Sequence, residues 1–273
     1  MIGIYSLSEF IDAAKREEDA RRPIVCPSTP DGVALYSGET SMIIGDGGAG
    51  KGWFSLSVAV SLAVERTVDA AAPLRTVLPC ELDAEPSRVL VVSLFDPPAF
   101  IVSRIAQIFR QHFACDCREE IRRMLGGRLH IAKARDLEAV EANAARLRAD
   151  LVIVDPLVGF AVSGFELDAD KARETSDRLR RLARETGAHV MVAHHTNKAS
   201  RRRPGAMVLA DALGPPCLLD GFADVFGVEC HGETERRIVH LASRRLLNPG
   251  RLSDCDRIGE SGFFRRPFSA VRS

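Results

Sequence analysis

Gly45-Asp46-Gly47-Gly48-Ala49-Gly50-Lys51-Gly52 follows the phosphate-binding pattern G-x-x-x-x-G-K-[ST] up to its last position. Glycines let a loop turn its backbone N–H groups inward onto phosphate oxygens. The lysine adds a point charge, and the helix that follows presents its positive end to the same anion. The hydroxyl that normally follows the lysine ligates Mg²⁺. Here that place is Gly52, which has no side chain. The loop keeps its means of holding phosphate and loses a metal ligand.

The flanking residues have the required order. Thr40-Ser41-Met42-Ile43-Ile44 reads as a short strand running into the loop. Residues 53–64 read as a helix leaving it, with Phe54, Val58, Ser61 and Leu62 near helical spacing. A glycine-rich turn without ligand is the competing reading, and strand–loop–helix context favours the phosphate site. Its nucleotide-binding residues are then Gly45, Asp46, Gly47, Gly48, Ala49, Gly50, Lys51, Gly52 and Trp53.

Further out, the alternation continues. Residues 88–94 (RVLVVSL) form an apolar strand, followed by a proline-initiated helix to Phe113. Strands are expected over 129–132, over Leu151-Val152-Ile153-Val154 up to Asp155, and over 189–193. Between them lie a helical face through Leu137, Val140, Ala144 and Leu147 and a helix over 169–186 closed by Gly187. Such alternation implies an α/β fold with a mostly parallel sheet covered on both faces. After Asp224 the strands at 225–230, 238–242 and 262–266 are joined by short turns, so the sheet should end antiparallel. Residues 1–30 read as a helix with a Ser6-Leu7-Ser8-Glu9 capping box and a proline-containing connector. The main domain is then expected over 31–273.

Bulk properties narrow the class. The 273 residues are 46% hydrophobic and 27% charged, ordinary for a globular chain. No apolar run reaches membrane-spanning length. The acidic residues Glu9, Asp12, Glu17 and Glu18 do not fit a signal peptide. A cytoplasmic protein with no membrane partner is expected. Net charge is zero, so any nucleic-acid contact must come from a local cluster. Of the seven cysteines only Cys115 and Cys117 are close-spaced, beside His112, with no second ligand pair to complete a metal site.

Polar residues stand at four strand ends, where parallel sheets bind ligands: the loop itself, Phe95-Asp96-Pro97-Pro98, Asp155-Pro156, and His194-His195-Thr196-Asn197. Asp155 ends an apolar strand, as does the aspartate that holds Mg²⁺ in phosphate-loop enzymes. It could equally cap a turn before Pro156. The His pair could sense a phosphate, or consist of one packed and one exposed histidine. Lys198 and the Arg201-Arg202-Arg203 run beyond it could track a nucleic-acid backbone or form a solvated loop.

Together GDGGAGKG, VLVVSLFDPP, LVIVDP and RLRRLARETGAHVMVAHHTNKAS resemble the RepA-type plasmid replicative helicases and their RecA-like hexameric ATPase relatives. The resemblance covers most of the chain. It implies a RecA-like P-loop NTPase core, ATP and Mg²⁺ as cofactors, a homo-oligomeric, hexameric ring, and movement on single-stranded DNA. Lys51 then matches the phosphate lysine, Asp155 the metal-associated aspartate, and His194 and His195 the paired histidines on the γ-phosphate side. Asp96 matches the second residue of a Glu-Asp-Pro-Pro sequence. Its partner glutamate, the base for the attacking water, is Phe95 here.

Three departures bear on turnover. Gly52 replaces the hydroxyl, Phe95 the base, and the family's in-trans arginine falls near Asp224. Glu81, Asp83 or Glu85 could supply a carboxylate instead, and Arg236, Arg237, Arg244 or Arg245 an arginine. Two readings stay open: an ATPase coupled to single-stranded DNA, or a degenerate nucleotide-binding ring component or regulator. A small-substrate P-loop kinase is disfavoured because no lid segment is recognisable.

Overall fold

The computed structural model describes residues 22–27, 33–75, 77–78, 80–83, 85–134, 136–157, 168–197, 206–231, 233–244, 251–257 and 263–265. The capping box at 6–9, the cluster Lys198 and Arg201–Arg203, and Arg245 lie outside them. In chain order come β1 (Pro23–Pro27), β2 (Leu35–Tyr36), β3 (Thr40–Gly45), α1 (Lys51–Ala63) and α2 (Ala72–Arg75). Then follow β4 (Cys80–Leu82), β5 (Val89–Ser93), α3 (Pro98–Phe113), α4 (Arg118–Leu125), β6 (Leu129–Ala132) and α5 (Leu137–Leu147). Next are β7 (Leu151–Asp155), α6 (Ala169–Thr186) and β8 (His189–His195), then two short 3-10 helices, Leu209–Asp211 and Pro216–Gly221. The chain ends with β9 (Asp224–His231), β10 (Glu235–Ser243), β11 (Arg251–Arg257) and β12 (Phe263–Arg265).

The large sheet has the order β12-β11-β10-β9-β3-β8-β7-β5-β6. Its inner neighbours from β9 to β6 pair in parallel, and β10, β11 and β12 continue it antiparallel. Side chains alternate across the pleat, and that period sorts the strands between two cores. Ile43, Val91, Ile153 and Met191 face one cluster with Phe54, Val58 and Leu62 of α1 and Ile105 and Phe109 of α3. Met42, Ile44, Val92, Val154 and Val192 face the other, with Val140 of α5 and Leu179 and Leu182 of α6. Both faces are covered, so the strands read as continuous apolar runs.

Local signals set the helix ends. Asp168 accepts from the Lys171 N–H at the start of α6, and Gly187 ends it in a left-handed conformation. Asp136 caps α5 on Ala139 in the same way.

The N-terminal expectation needs correction. Pro23–Pro27, read as connector, is a strand at the centre of a second sheet, β2-β1-β4. Its Ile24 and Val25 are buried in the α1-side core, and that burial holds the segment extended. Its prolines stand at the strand's two ends, where they interrupt the ladder least. Helix α4 and strand β11 are further elements that periodicity did not reveal. Among the described residues no helix is long and apolar enough to cross a membrane.

Candidate nucleotide-binding site

Parallel pairing fixes which residues meet. Gly45 is opposite His195 on β8, and Ser93 is opposite Asp155 on β7. The carboxyl ends of β3, β8, β7 and β5 therefore open on one cleft of ≈ 210 Å³, lined by loop glycines, Lys51, Gly52, Trp53, Phe95, Asp96, Arg104, Asp155 and His195.

Gly50 has φ 111, a conformation that L side chains rarely adopt. It turns the chain into α1, which starts at Lys51 with no side chain capping it. A helix start without a side-chain cap is where phosphate loops hold their anion. Lys51 is buried and donates from Nζ to the carbonyls of Gly45 (2.8 Å) and Asp46 (2.9 Å). These two bonds hold the ammonium at the base of the loop and use two of its three donors. The loop is held at two further points. The Thr196 hydroxyl donates to the Asp46 carboxylate, and Arg236 of β10 donates from Nε to the Ala49 carbonyl at 3.0 Å.

At Gly52 the geometry departs from a hydroxyl-bearing loop. A Cβ built there would lie 3.1 Å from Arg104 Nη1 and 3.3 Å from Asp155 Oδ2. Arg104 pairs with Asp96 at 2.7 Å and stacks over Phe100, with its guanidinium carbon 4.2 Å from the ring centroid. Ser55, one turn beyond Lys51, has a buried hydroxyl without a partner. It lines a ≈ 10 Å³ hollow with Ser93, Arg104 and Asp155. Burial pushes the Asp155 carboxyl up, Lys51 and Arg104 pull it down, and Asp96 pushes it up. Mg²⁺ does not fit this donor set. The hydroxyl ligand is absent, Asp96 already has a cation, and a guanidinium lies against the metal's side of the loop.

The remaining residues divide. His195 lines the cleft. His194 is fully buried and donates from Nε2 to the Leu213 carbonyl at 2.6 Å. Burial pushes its pKa down to about 4, so it is neutral at physiological pH. Phe95 stands 66% exposed at the rim. None of Glu81, Asp83 and Glu85 lines the cleft: Glu81 pairs with Arg75, and the other two backbones accept from Arg66 near the C-terminal end of α1.

Nor do the alternative arginines among the described residues, Arg236, Arg237 and Arg244, line the cleft. Arg236 is buried and bonded to the loop, Arg237 faces Glu229, and Arg244 bonds to the Asp220 carbonyl. Asp224 pairs with Ser41 at the start of β3, the end remote from the loop. It is buried against His240 at 3.0 Å. Buried there, it does not line the cleft. Cys115 and Cys117 hydrogen-bond to Glu120 and Glu119, and among the described residues no cluster suits a metal ion.

Residues 12–201 match the AAA domain family, well over half of the 273-residue chain. The chain belongs to that family. No curated protein matches it in sequence. This AAA domain is also similar to the solved structure of an ATPase domain, with a TM-score of 0.65 at 12% identity. The match covers 97% of this chain and 100% of that one. At that identity the likeness is one of fold, the RecA-like P-loop NTPase fold expected from the motifs. A nucleotide-binding AAA domain accounts for the loop, the helix start without a side-chain cap and the buried lysine. Arg104 escaped the sequence reading, and its only signal was its i, i+4 spacing from Phe100. Arg236 was read only as a candidate arginine finger, and nothing local signalled its bond to the phosphate loop.

Proposed function

We propose that this AAA domain binds ATP in the cleft and holds it with little turnover. It acts as one subunit of a homo-oligomeric ring on single-stranded DNA, in the manner of the RepA-type replicative helicases its motifs resemble. One observation carries the low-turnover reading. The cleft combines a complete set of phosphate donors with an apolar, exposed Phe95 at the position where the resemblance calls for a base.

Phosphate would bind to the loop N–H groups, the start of α1 and Lys51. Hydrolysis needs a group to orient water and accept its proton. Phenylalanine does neither, and Asp96 is engaged by Arg104. The ring, the DNA, and backbone contacts from Lys198, Arg201, Arg202 and Arg203 rest on the motif resemblance; a cytoplasmic setting rests on the acidic N-terminal residues and the lack of a membrane-length apolar run. An active ATPase is the second reading, favoured by Asp155 and His195 lining the same cleft as Lys51.

Equilibrium dialysis against ATP, beside steady-state turnover with and without single-stranded DNA, separates these. Binding that Lys51→Ala weakens ~10- to 100-fold, the worth of a charge-assisted hydrogen bond, supports the site. Turnover of ~1 s⁻¹ or more favours the second reading. No uptake at millimolar ATP defeats both.

A further inference from the structure

We propose that Arg104 supplies, as a fixed part of the protein, the positive charge that a divalent cation supplies in hydroxyl-bearing phosphate loops, so that nucleoside triphosphate binds here without metal. The inference rests on the nucleotide-binding reading and adds the ionic form of the ligand.

The argument starts at Gly52. A residue that ligates a metal must project an oxygen from that position. Here the space where even a Cβ would begin is bounded at 3.1 Å by Arg104 Nη1 and at 3.3 Å by Asp155 Oδ2. Glycine leaves room for the guanidinium here. A side chain at this point would press on the arginine tip and the carboxylate, which would have to give by a few tenths of an ångström.

Arg104 is also pre-oriented. It rises from the second turn of α3, bonded at 2.7 Å to Asp96, which lies just before that helix. It packs over Phe100 at 4.2 Å and near Trp53 at 5.8 Å. Aromatic faces hold a guanidinium plane while leaving its edge free to hydrogen-bond. That planar edge suits phosphate oxygens, which it can engage in pairs. Its charge is permanent, so it does not depend on divalent ion concentration.

Electrostatics point the same way. In the cleft Lys51 and Arg104 are offset by Asp96 and Asp155. A divalent ion placed by Asp155 would meet the guanidinium at short range, where like charges repel strongly. An arriving triphosphate meets two cations already in position.

The test is ATP binding by calorimetry in excess EDTA and in Mg²⁺, for the full chain and the variants Arg104→Ala, Arg104→Gln, Gly52→Ser and Gly52→Ser/Arg104→Ala. The wild-type Kd should agree within about 3-fold between the two conditions, less than 1 kcal/mol. Arg104→Ala should lose ~10- to 100-fold in EDTA, as expected for a charge-assisted contact. Arg104→Gln keeps the stem against Phe100 and a donor for Asp96. It should show the same loss, which separates charge from folding. The double variant should regain binding when Mg²⁺ is added, because the space and the hydroxyl are then both present. A wild-type affinity that falls ~10-fold or more in EDTA overturns the inference while leaving nucleotide binding intact. So does unchanged EDTA binding in both Arg104 variants. Absence of ATP binding in either condition overturns the nucleotide reading itself, and this inference with it.

Discussion

Arg236 Nε lies 3.0 Å from the carbonyl oxygen of Ala49, so a buried arginine on β10 clasps the middle of the phosphate loop. Its other nitrogens donate to the carbonyls of Glu235 (2.7 Å) and Glu233 (3.2 Å). This ties the antiparallel extension of the sheet to the site. Arg236→Met keeps much of the bulk and removes every donor. It should weaken ATP binding several-fold and lower stability by ~1 to 3 kcal/mol, the cost of a lost charged hydrogen bond in a buried setting. Calorimetric titration and thermal denaturation read the two effects. An unchanged affinity would show that the loop holds its shape without this contact.

Phe95 sits at the rim of the cleft beside Asp96. Phe95→Glu places a carboxylate where water can be oriented, and a positioned base contributes ~10²- to 10⁴-fold in favourable cases. Turnover should rise by at least an order of magnitude within that range, with ATP affinity little changed. If phosphate release stays at the wild-type rate, water activation is not what limits this site.

The buried His194 makes stability depend on pH in a defined window. Its folded pKa is about 4 against an ordinary 6.5, so between these values the unfolded chain binds a proton that the folded chain refuses. Stability is then fully present above pH 6.5 and falls as pH drops towards 4, by at most ~3 kcal/mol from this group. His194→Gln removes the titrating group and retains a donor for the Leu213 carbonyl. Denaturant melts across that window should be flatter for the variant. Parallel curves for the two proteins would rule the histidine out as the cause.

Asp224 and His240 form a buried pair, with the His240 ring stacked 4.9 Å from Phe226. Asp224→Arg would create the residue type expected there from family resemblance, yet the position faces the far end of the sheet. The variant should unfold more easily, by ~3 to 5 kcal/mol for a broken buried pair, and should gain no turnover. A folded Asp224→Arg protein with faster hydrolysis would contradict this placement.

Much of this was legible in the chain itself, because it depends on neighbours in sequence. Glycine positions, the lysine, and apolar residues at period two or near 3.6 fixed the loop, β3, α1, β5, β7, α6 and β8. They also fixed which strand ends carry polar groups. The gap at Gly52 was equally visible. What fills that gap was not, because Arg104 reaches it from another helix only once β5 lies beside β7 and α3 packs against α1 in a shared core. The strand order likewise put Arg236 under the loop and sent Asp224 to the opposite end. The short strand at Pro23–Pro27 exists because Ile24 and Val25 are buried against distant residues, and no local period encodes that. Sequence set the donors, because hydrogen-bonding capacity and helical phase are properties of a short segment. Tertiary structure decided which of them face the cleft, because that depends on contacts between residues far apart in the chain.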